Sequence, residues 1–202
     1  MNRLAIIDRL FEIDAVRFGS FTLKSGMQSP FYLDLRLIIS YPGLMKQIGE
    51  ALWQKSEGLH FDLICGVPYT ALPLASYLSL AHDIPMIMKR KEAKGYGTKK
   101  LIEGMYEAGQ TSLIVEDVIT SGSSVLETKT ALEEAKLQAD DVLVIVDREQ
   151  GGKEILEDAN VSVHNLFTIT EILKHLQNEG KIDPDMVLNV QNFLEENQCH
   201  KI

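Results

Sequence analysis

Ser112-Leu113-Ile114-Val115-Glu116-Asp117-Val118-Ile119-Thr120-Ser121-Gly122-Ser123-Ser124 is the run from which the rest of this 202-residue chain can be read. An apolar stretch, two acids, a loop of hydroxyls and glycine, and then an amphipathic pattern give the order strand, loop, helix. The spacing predicts a strand over 112–115 with both acids at its carboxyl end. Ser124 and Glu127 match a capping box and predict a helix over 124–136 whose first amide groups point back at the loop. Free amides, hydroxyls and the positive end of a helix suit a phosphate monoester. Glu116 and Asp117 would repel that anion, so their natural partners are neutral hydroxyls or a divalent cation. A ribose 5-phosphate offers hydroxyls at one end and phosphate at the other. A capping box alone fits an ordinary capped helix with solvated acids; the paired acids and five loop residues of these types point instead to a ligand. The run is not a Walker loop, since no Gly-Lys-Ser/Thr follows, nor a dinucleotide fingerprint, since Gly-x-Gly-x-x-Gly is absent.

Outward from this run, further apolar segments predict strands over 31–35, 63–65, 85–88, 142–146 and 161–167. Helical patterns predict helices over 2–14, 43–55, 71–80, 153–158, 170–177 and 184–196. Alternation of the two implies an α/β protein, a parallel sheet of five or six strands covered by helices on both faces with right-handed crossovers. In such sheets ligands bind beyond the carboxyl ends of the strands, so the loops after the strands matter most. At 202 residues the chain is read as one domain, 1–202.

Hydrophobic content of 45% and charged content of 24% are ordinary globular values, and no apolar stretch reaches membrane-spanning length. The first residues lack the pattern of a signal peptide, so a cytoplasmic protein that spans no membrane is expected. Cys65 and Cys199 offer neither a disulfide framework nor metal-ligand spacing and are read as structural or incidental. A net charge of -9 argues against nucleic acid as a partner. One segment runs the other way: Lys89, Arg90, Lys91, Lys94, Lys99 and Lys100 against Glu92 give residues 89–100 a charge of +5, which leaves -14 on the remainder.

The acid pair followed by Thr120-Ser121-Gly122-Ser123-Ser124 resembles the signature of the type I phosphoribosyltransferases. The resemblance implies that Glu116 and Asp117 hold the ribose hydroxyls of phosphoribosyl pyrophosphate while Thr120, Ser121, Gly122, Ser123 and Ser124 cradle its 5-phosphate. Many members carry two aspartates, so Glu116 departs within the acidic class. Three further segments resemble the orotate phosphoribosyltransferases. Phe21-Thr22-Leu23-Lys24-Ser25-Gly26 with Ser29-Pro30-Phe31-Tyr32 looks like their amino-terminal hood, here about residues 1–40, in which Lys24, Phe31 and Tyr32 would meet substrate. Asp147-Arg148-Glu149-Gln150-Gly151-Gly152 looks like their orotate loop. An arginine fork at Arg148 can grip the carboxylate of a planar pyrimidine acid while the Tyr32 ring stacks on the base.

Arg90-Lys91-Glu92-Ala93-Lys94-Gly95-Tyr96-Gly97 looks like the mobile catalytic loop of these enzymes, about 90–104. Its cations would neutralise departing pyrophosphate, Lys94 first and Arg90 and Lys91 behind it. Tyr96 stands where many bacterial members have histidine and Gly95 where they have aspartate; a phenol is a poor acid at neutral pH but can donate a hydrogen bond to a leaving oxygen. Gly66-Val67-Pro68-Tyr69-Thr70-Ala71 resembles the family's pyrophosphate loop, with Tyr69 and Thr70 offering hydroxyls and amides to pyrophosphate or its magnesium, and with threonine where some relatives have lysine.

Mg2+ is the implied cofactor, carried mainly by pyrophosphate with Asp117 as the candidate protein contact. Tyr96 to Lys100 and Ile102-Glu103-Gly104 are similar to the orotate domain of the animal bifunctional enzyme that also decarboxylates the product. The barrel that performs the second step has no room here. The transferase step alone is therefore expected, with a separate orotidine monophosphate decarboxylase as a candidate partner. A homodimer with shared active sites is implied as well. Rival readings are a phosphoribosyltransferase for another base and a regulator that senses phosphoribosyl pyrophosphate. The resemblance covers nearly the whole chain to about residue 180, and the last helix is read as packing.

Overall fold

The computed structural model describes residues 3–23, 26–91 and 101–199. Its elements are α1 (Arg3–Glu12), β1 (Val16–Thr22), β2 (Gln28–Leu33), a 3-10 turn (Leu35–Ser40), α2 (Pro42–Lys55), β3 (Leu63–Gly66), α3 (Ala71–His82), β4 (Met86–Lys89) and β5 (Ile102–Glu103). They continue with β6 (Ser112–Ile119), α4 (Ser123–Glu134), β7 (Asp141–Asp147), α5 (Gly152–Asp158), β8 (Ser162–Thr168), α6 (Ile169–Asn178) and α7 (Pro184–Glu196).

Six strands form the main sheet in the order β5-β4-β3-β6-β7-β8. All neighbours are parallel except β5, a two-residue edge strand antiparallel to β4. The connection β3–α3–β4 steps one way along this sheet and β6–α4–β7–α5–β8 steps the other. With right-handed crossovers, opposite steps place α3 on one face and α4 and α5 on the other. The direction changes between β3 and β6, and the carboxyl ends of those two strands therefore flank an open crevice.

β3 is buried at all four positions and β7 at six of seven, the continuous apolar reading expected of parallel strands covered on both faces. The strand predicted over 112–115 runs on to Ile119. Glu116, Val118 and Ile119 pair with Val144, Val146 and Asp147 of β7, so both acids lie within the ladder instead of beyond it. Neighbouring backbone carries the strand past the point where apolarity stops.

A separate two-stranded hairpin, β1 with β2, lies at the amino-terminal end. Its strand β1 was not predicted: only Val16 of its seven residues is fully buried, and the polar residues and Gly19 hide the alternation. β2 carries Phe31 into a second small core with Ile169, Leu173, Val190, Phe193 and Leu194 from α6 and α7. The hairpin is thereby seated on the carboxyl-terminal helices and stands beside the end of β7.

Candidate active site

Three consecutive strands, β3, β6 and β7, deliver three loops to one edge of the sheet. The loop after β6 begins with Thr120 and enters α4 through Gly122, whose φ of 74° suits glycine. A Cβ at Gly122 would lie 2.7 Å from Leu156 Cγ, so glycine also lets this turn sit against α5. Ser121 and Ser123 hydroxyls lie 3.2 Å apart across the turn. The α4 N-cap is Gly122 and carries no side-chain cap, which corrects the expected Ser124–Glu127 box. Instead Ser124 Oγ donates to Glu116 Oε2 at 2.6 Å, and Glu127 Oε2 accepts from Lys89 Nζ at 3.4 Å. A carboxyl as buried as Glu116, 4% exposed, needs a donor more than a solvated helix end needs a cap. No N-cap side chain covers the start of α4, where Ser123 N donates to Ser121 Oγ at 3.5 Å, and the helix end presents its positive pole to an anion.

Burial pushes the Glu116 carboxyl up to about 8, helped by the neighbouring Asp117 carboxyl and opposed by the Ser124 hydroxyl and the Asp117 amide. Asp117 is half-buried and lines a small cleft with Thr70 and Ala71 of the loop after β3 and with Leu35 and Ile38 of the 3-10 turn. Of the two acids, it is the more accessible. The loop after β3 presents Tyr69, 67% exposed, with Lys91 Nζ 5.5 Å from its ring centre. Tyr69, Pro68 and Leu72 form one wall of a groove of about 430 Å³, and Met88, Lys89, Arg90 and Glu103 form the other. Arg90 Nη1 pairs with Glu103 Oε1 at 2.9 Å across the β4–β5 edge. Lys24, Lys94 and Tyr96, each expected at the site, lie outside the described residues.

The loop after β7 is bonded to the last residue of β6, because Arg148 N donates to Ile119 O at 3.0 Å. Arg148 lies with its Cζ 4.6 Å from the centre of the Phe31 ring. Its Nε and Nη2 are buried and find no hydrogen-bond partner among the described residues, and burial lowers the pKa of the guanidinium. Buried donors left open in this way are expensive unless a ligand fills them. Phe31, expected against substrate, is fully buried between Arg148 and the edge of Phe193, whose ring centre is 6.0 Å away at 89°. It faces α7 because the alternation of β2 turns its side chain inward, and so it supports the arginine. Tyr32 points the other way, half-buried, its ring centre 5.7 Å from that of Phe21.

The sequence reading missed Arg17. It pairs across the hairpin with Tyr32, places its Cζ 5.1 Å from the Tyr32 ring centre and 5.4 Å from that of Phe21, and keeps a buried Nε without a partner among the described residues. Simple alternation could not have found it, because the register of β1 shifts between Phe18 and Phe21. Among the described residues no group of three or more His, Cys, Asp or Glu side chains could hold a metal ion; the half-buried Asp117 carboxylate is an oxygen donor of the kind Mg2+ takes. No helix among the described residues is long and apolar enough to cross a membrane.

A family model described as phosphoribosyl transferase domain matches residues 38–180. The chain is 46% identical over 195 residues to uridine 5'-monophosphate synthase of Bos taurus, which covers 96% of this chain and 41% of that protein. It is 44% identical over 171 residues to orotate phosphoribosyltransferase of Caenorhabditis elegans, covering 84% of this chain and 75% of that one. The solved UMP synthase of Leishmania donovani superposes with a TM-score of 0.88 at 32% identity, covering 97% of this chain and 43% of that chain. The chain thus spans about two-fifths of the length of these two synthases. With the matched region running from the 3-10 turn through β3, β6, β7 and their loops, the chain belongs to the phosphoribosyltransferase family, among relatives named orotate phosphoribosyltransferase and uridine 5'-monophosphate synthase.

Proposed function

We propose that the chain is an orotate phosphoribosyltransferase, joining N1 of orotate to the ribose of phosphoribosyl pyrophosphate and releasing pyrophosphate, in the synthesis of UMP. The observation that carries the choice of base is Arg148: a guanidinium above Phe31 with buried nitrogens that have no partner among the described residues, its backbone bonded to the end of β6 where the β6–α4 loop begins. A carboxylated base answers those nitrogens with a charge-assisted fork; an uncarboxylated base leaves them unpaired. Tyr32 offers a ring face for stacking on the pyrimidine, and Lys24 is assigned to the same substrate from the sequence resemblance.

The ribose-phosphate is assigned to the β6–α4 loop, with the 5-phosphate on the amides and hydroxyls of Thr120 to Ser124 and the ribose hydroxyls on Asp117 and Glu116. Pyrophosphate is assigned to Tyr69, Thr70 and the groove of Lys89, Arg90 and Lys91, with Lys94 and Tyr96 closing from the basic segment. Attack by N1 from the face opposite pyrophosphate passes through an oxocarbenium-like state, since the ring oxygen shares the charge. The protein's work is to align the two reactants, neutralise the leaving group and exclude water; no covalent nucleophile is needed. Asp117 is the carboxylate that would hold Mg2+ brought mainly by pyrophosphate, and the cation would supply further neutralisation of the leaving group.

We assign the whole of 1–202 to one phosphoribosyltransferase domain with a hood over about 1–40 and a catalytic loop over about 90–104. We assign it to a cytoplasmic homodimer, with an orotidine monophosphate decarboxylase as candidate partner. The test is loss of orotate absorbance with phosphoribosyl pyrophosphate and Mg2+. Consumption of orotate but not of uracil or purines is expected; no consumption of orotate overturns the reading.

A further inference from the structure

The segment that follows α7 is bonded to the loop that carries Arg148. Cys199 N donates to Gln150 O at 2.7 Å. Gln150 Nε2 donates to Asn197 O at 3.0 Å, and Gln198 Nε2 donates to Glu149 O at 3.0 Å. The segment is itself tied to α7, through Asn197 Nδ2 to Phe193 O at 2.8 Å and Gln198 Nε2 to Leu194 O at 2.6 Å. A Cβ on Gly151, whose φ is 85°, would stand 2.6 Å from Cys199 O, so the two backbones approach as closely as glycine allows. The inner side of the same loop is fixed by Glu149 N to Asp147 Oδ1 at 2.9 Å and by Thr170 N, at the start of α6, to Glu149 Oε2 at 2.7 Å. Its outer side is held by residues 197–199.

We infer that Asn197, Gln198 and Cys199 form a positioning strap that sets the base affinity of the site by holding the Arg148 loop against α7. The inference rests on the assignment of Arg148 to the base. Two routes link α7 to that side chain: the strap grips its loop, and Phe193 buttresses Phe31, on which the guanidinium lies. An arginine fork rewards a ligand only when it is already in place, because its long side chain otherwise loses rotamer freedom on binding. None of the three strap residues needs to touch substrate, so its loss should act on orotate and spare phosphoribosyl pyrophosphate.

Cys199→Pro removes the amide donated to Gln150 O, and Gln198→Ala removes the bond to Glu149 O. For Cys199→Pro the expected result is an orotate KM raised about tenfold, with the phosphoribosyl pyrophosphate KM and kcat within about threefold of the unmodified chain, the scale of one or two lost hydrogen bonds. Gln198→Ala should raise the orotate KM about threefold in the same pattern and guards against a proline variant that fails to fold. Amide exchange of the 147–152 backbone, followed by mass spectrometry, should quicken in both variants. Equal rises in both KM values, no rise in either, or unchanged exchange over 147–152 would each overturn the strap. The unmodified chain is assayed first. Its failure to consume orotate would sink the base assignment, and exchange over 147–152 would then decide the strap by itself.

Discussion

Arg148 and Glu116 are both side chains whose charge is uncomfortable where it lies, and each discomfort makes a measurable claim. Arg148 keeps Nε and Nη2 buried without partners among the described residues. Arg148→Ala should raise the orotate KM roughly ten- to a hundredfold, the loss of a charge-assisted fork worth about 1.5 to 3 kcal/mol, with little change in the phosphoribosyl pyrophosphate KM. Steady-state kinetics with each substrate varied in turn checks it; equal effects would remove Arg148 from the base site. Glu116 is raised from an ordinary 4.5 to about 8, first by burial and then by the Asp117 carboxyl. Its folded form binds a proton more tightly than its unfolded form, so its contribution to stability is full below pH 4.5 and falls as pH rises through about 8. Glu116→Gln, which still accepts from Ser124 Oγ, should therefore raise Tm at pH 8.5 relative to the native chain and leave it nearly unchanged at pH 4. Melting curves at the two pH values decide it. From sequence the place of the acid pair near the carboxyl end of β6 was legible, but the unequal burial of its members was not, because it depends on where α4 sets Ser124 down.

At the scale of elements, the turn from β6 into α4 joins fold and site most tightly. Gly122 combines a left-handed φ of 74° with a 2.7 Å approach of its absent Cβ to Leu156. Gly122→Ala should cost roughly 1 to 3 kcal/mol in urea unfolding, the scale of backbone strain with an added clash, and should raise the phosphoribosyl pyrophosphate KM more than that of orotate. A variant of native stability would show that the turn relaxes freely and that the glycine is dispensable. The helices were legible to within about two residues because periodicity and local signals mark them: proline at the start of α7, the Thr168–Glu171 capping box of α6, and Lys55 in the last turn of α2. The inner strands were legible because they are apolar throughout. β1 and β5 were not, since one alternates polar residues on a hairpin and the other is two residues long and exists only by pairing with β4. The strap after α7 was hidden for a related reason: its bonds span 47 and 49 residues of chain.

For the whole molecule, the sheet order places the crevice where the connections from the paired strands β3 and β6 run in opposite directions, and the -14 outside residues 89–100 leaves the basic segment as the main source of cations for a polyanionic leaving group. Family resemblance implies that this segment closes over the partner's site in a two-fold dimer, so that the loop lysine and the hood lysine in one site come from different chains. Lys94→Ala and Lys24→Ala homodimers should each be nearly inactive. When the two variants exchange subunits at random, half the dimers are mixed, and each mixed dimer holds one doubly altered site and one intact site. Activity should then recover to about a quarter of the native level. If each chain's loop serves its own site, every site in the mixture keeps one defect and activity stays at the level of the separate variants. Differently tagged chains, pulled down together before the assay, establish that exchange has occurred. With exchange established, absence of recovery would return Lys94 to its own chain's pocket and remove the shared site.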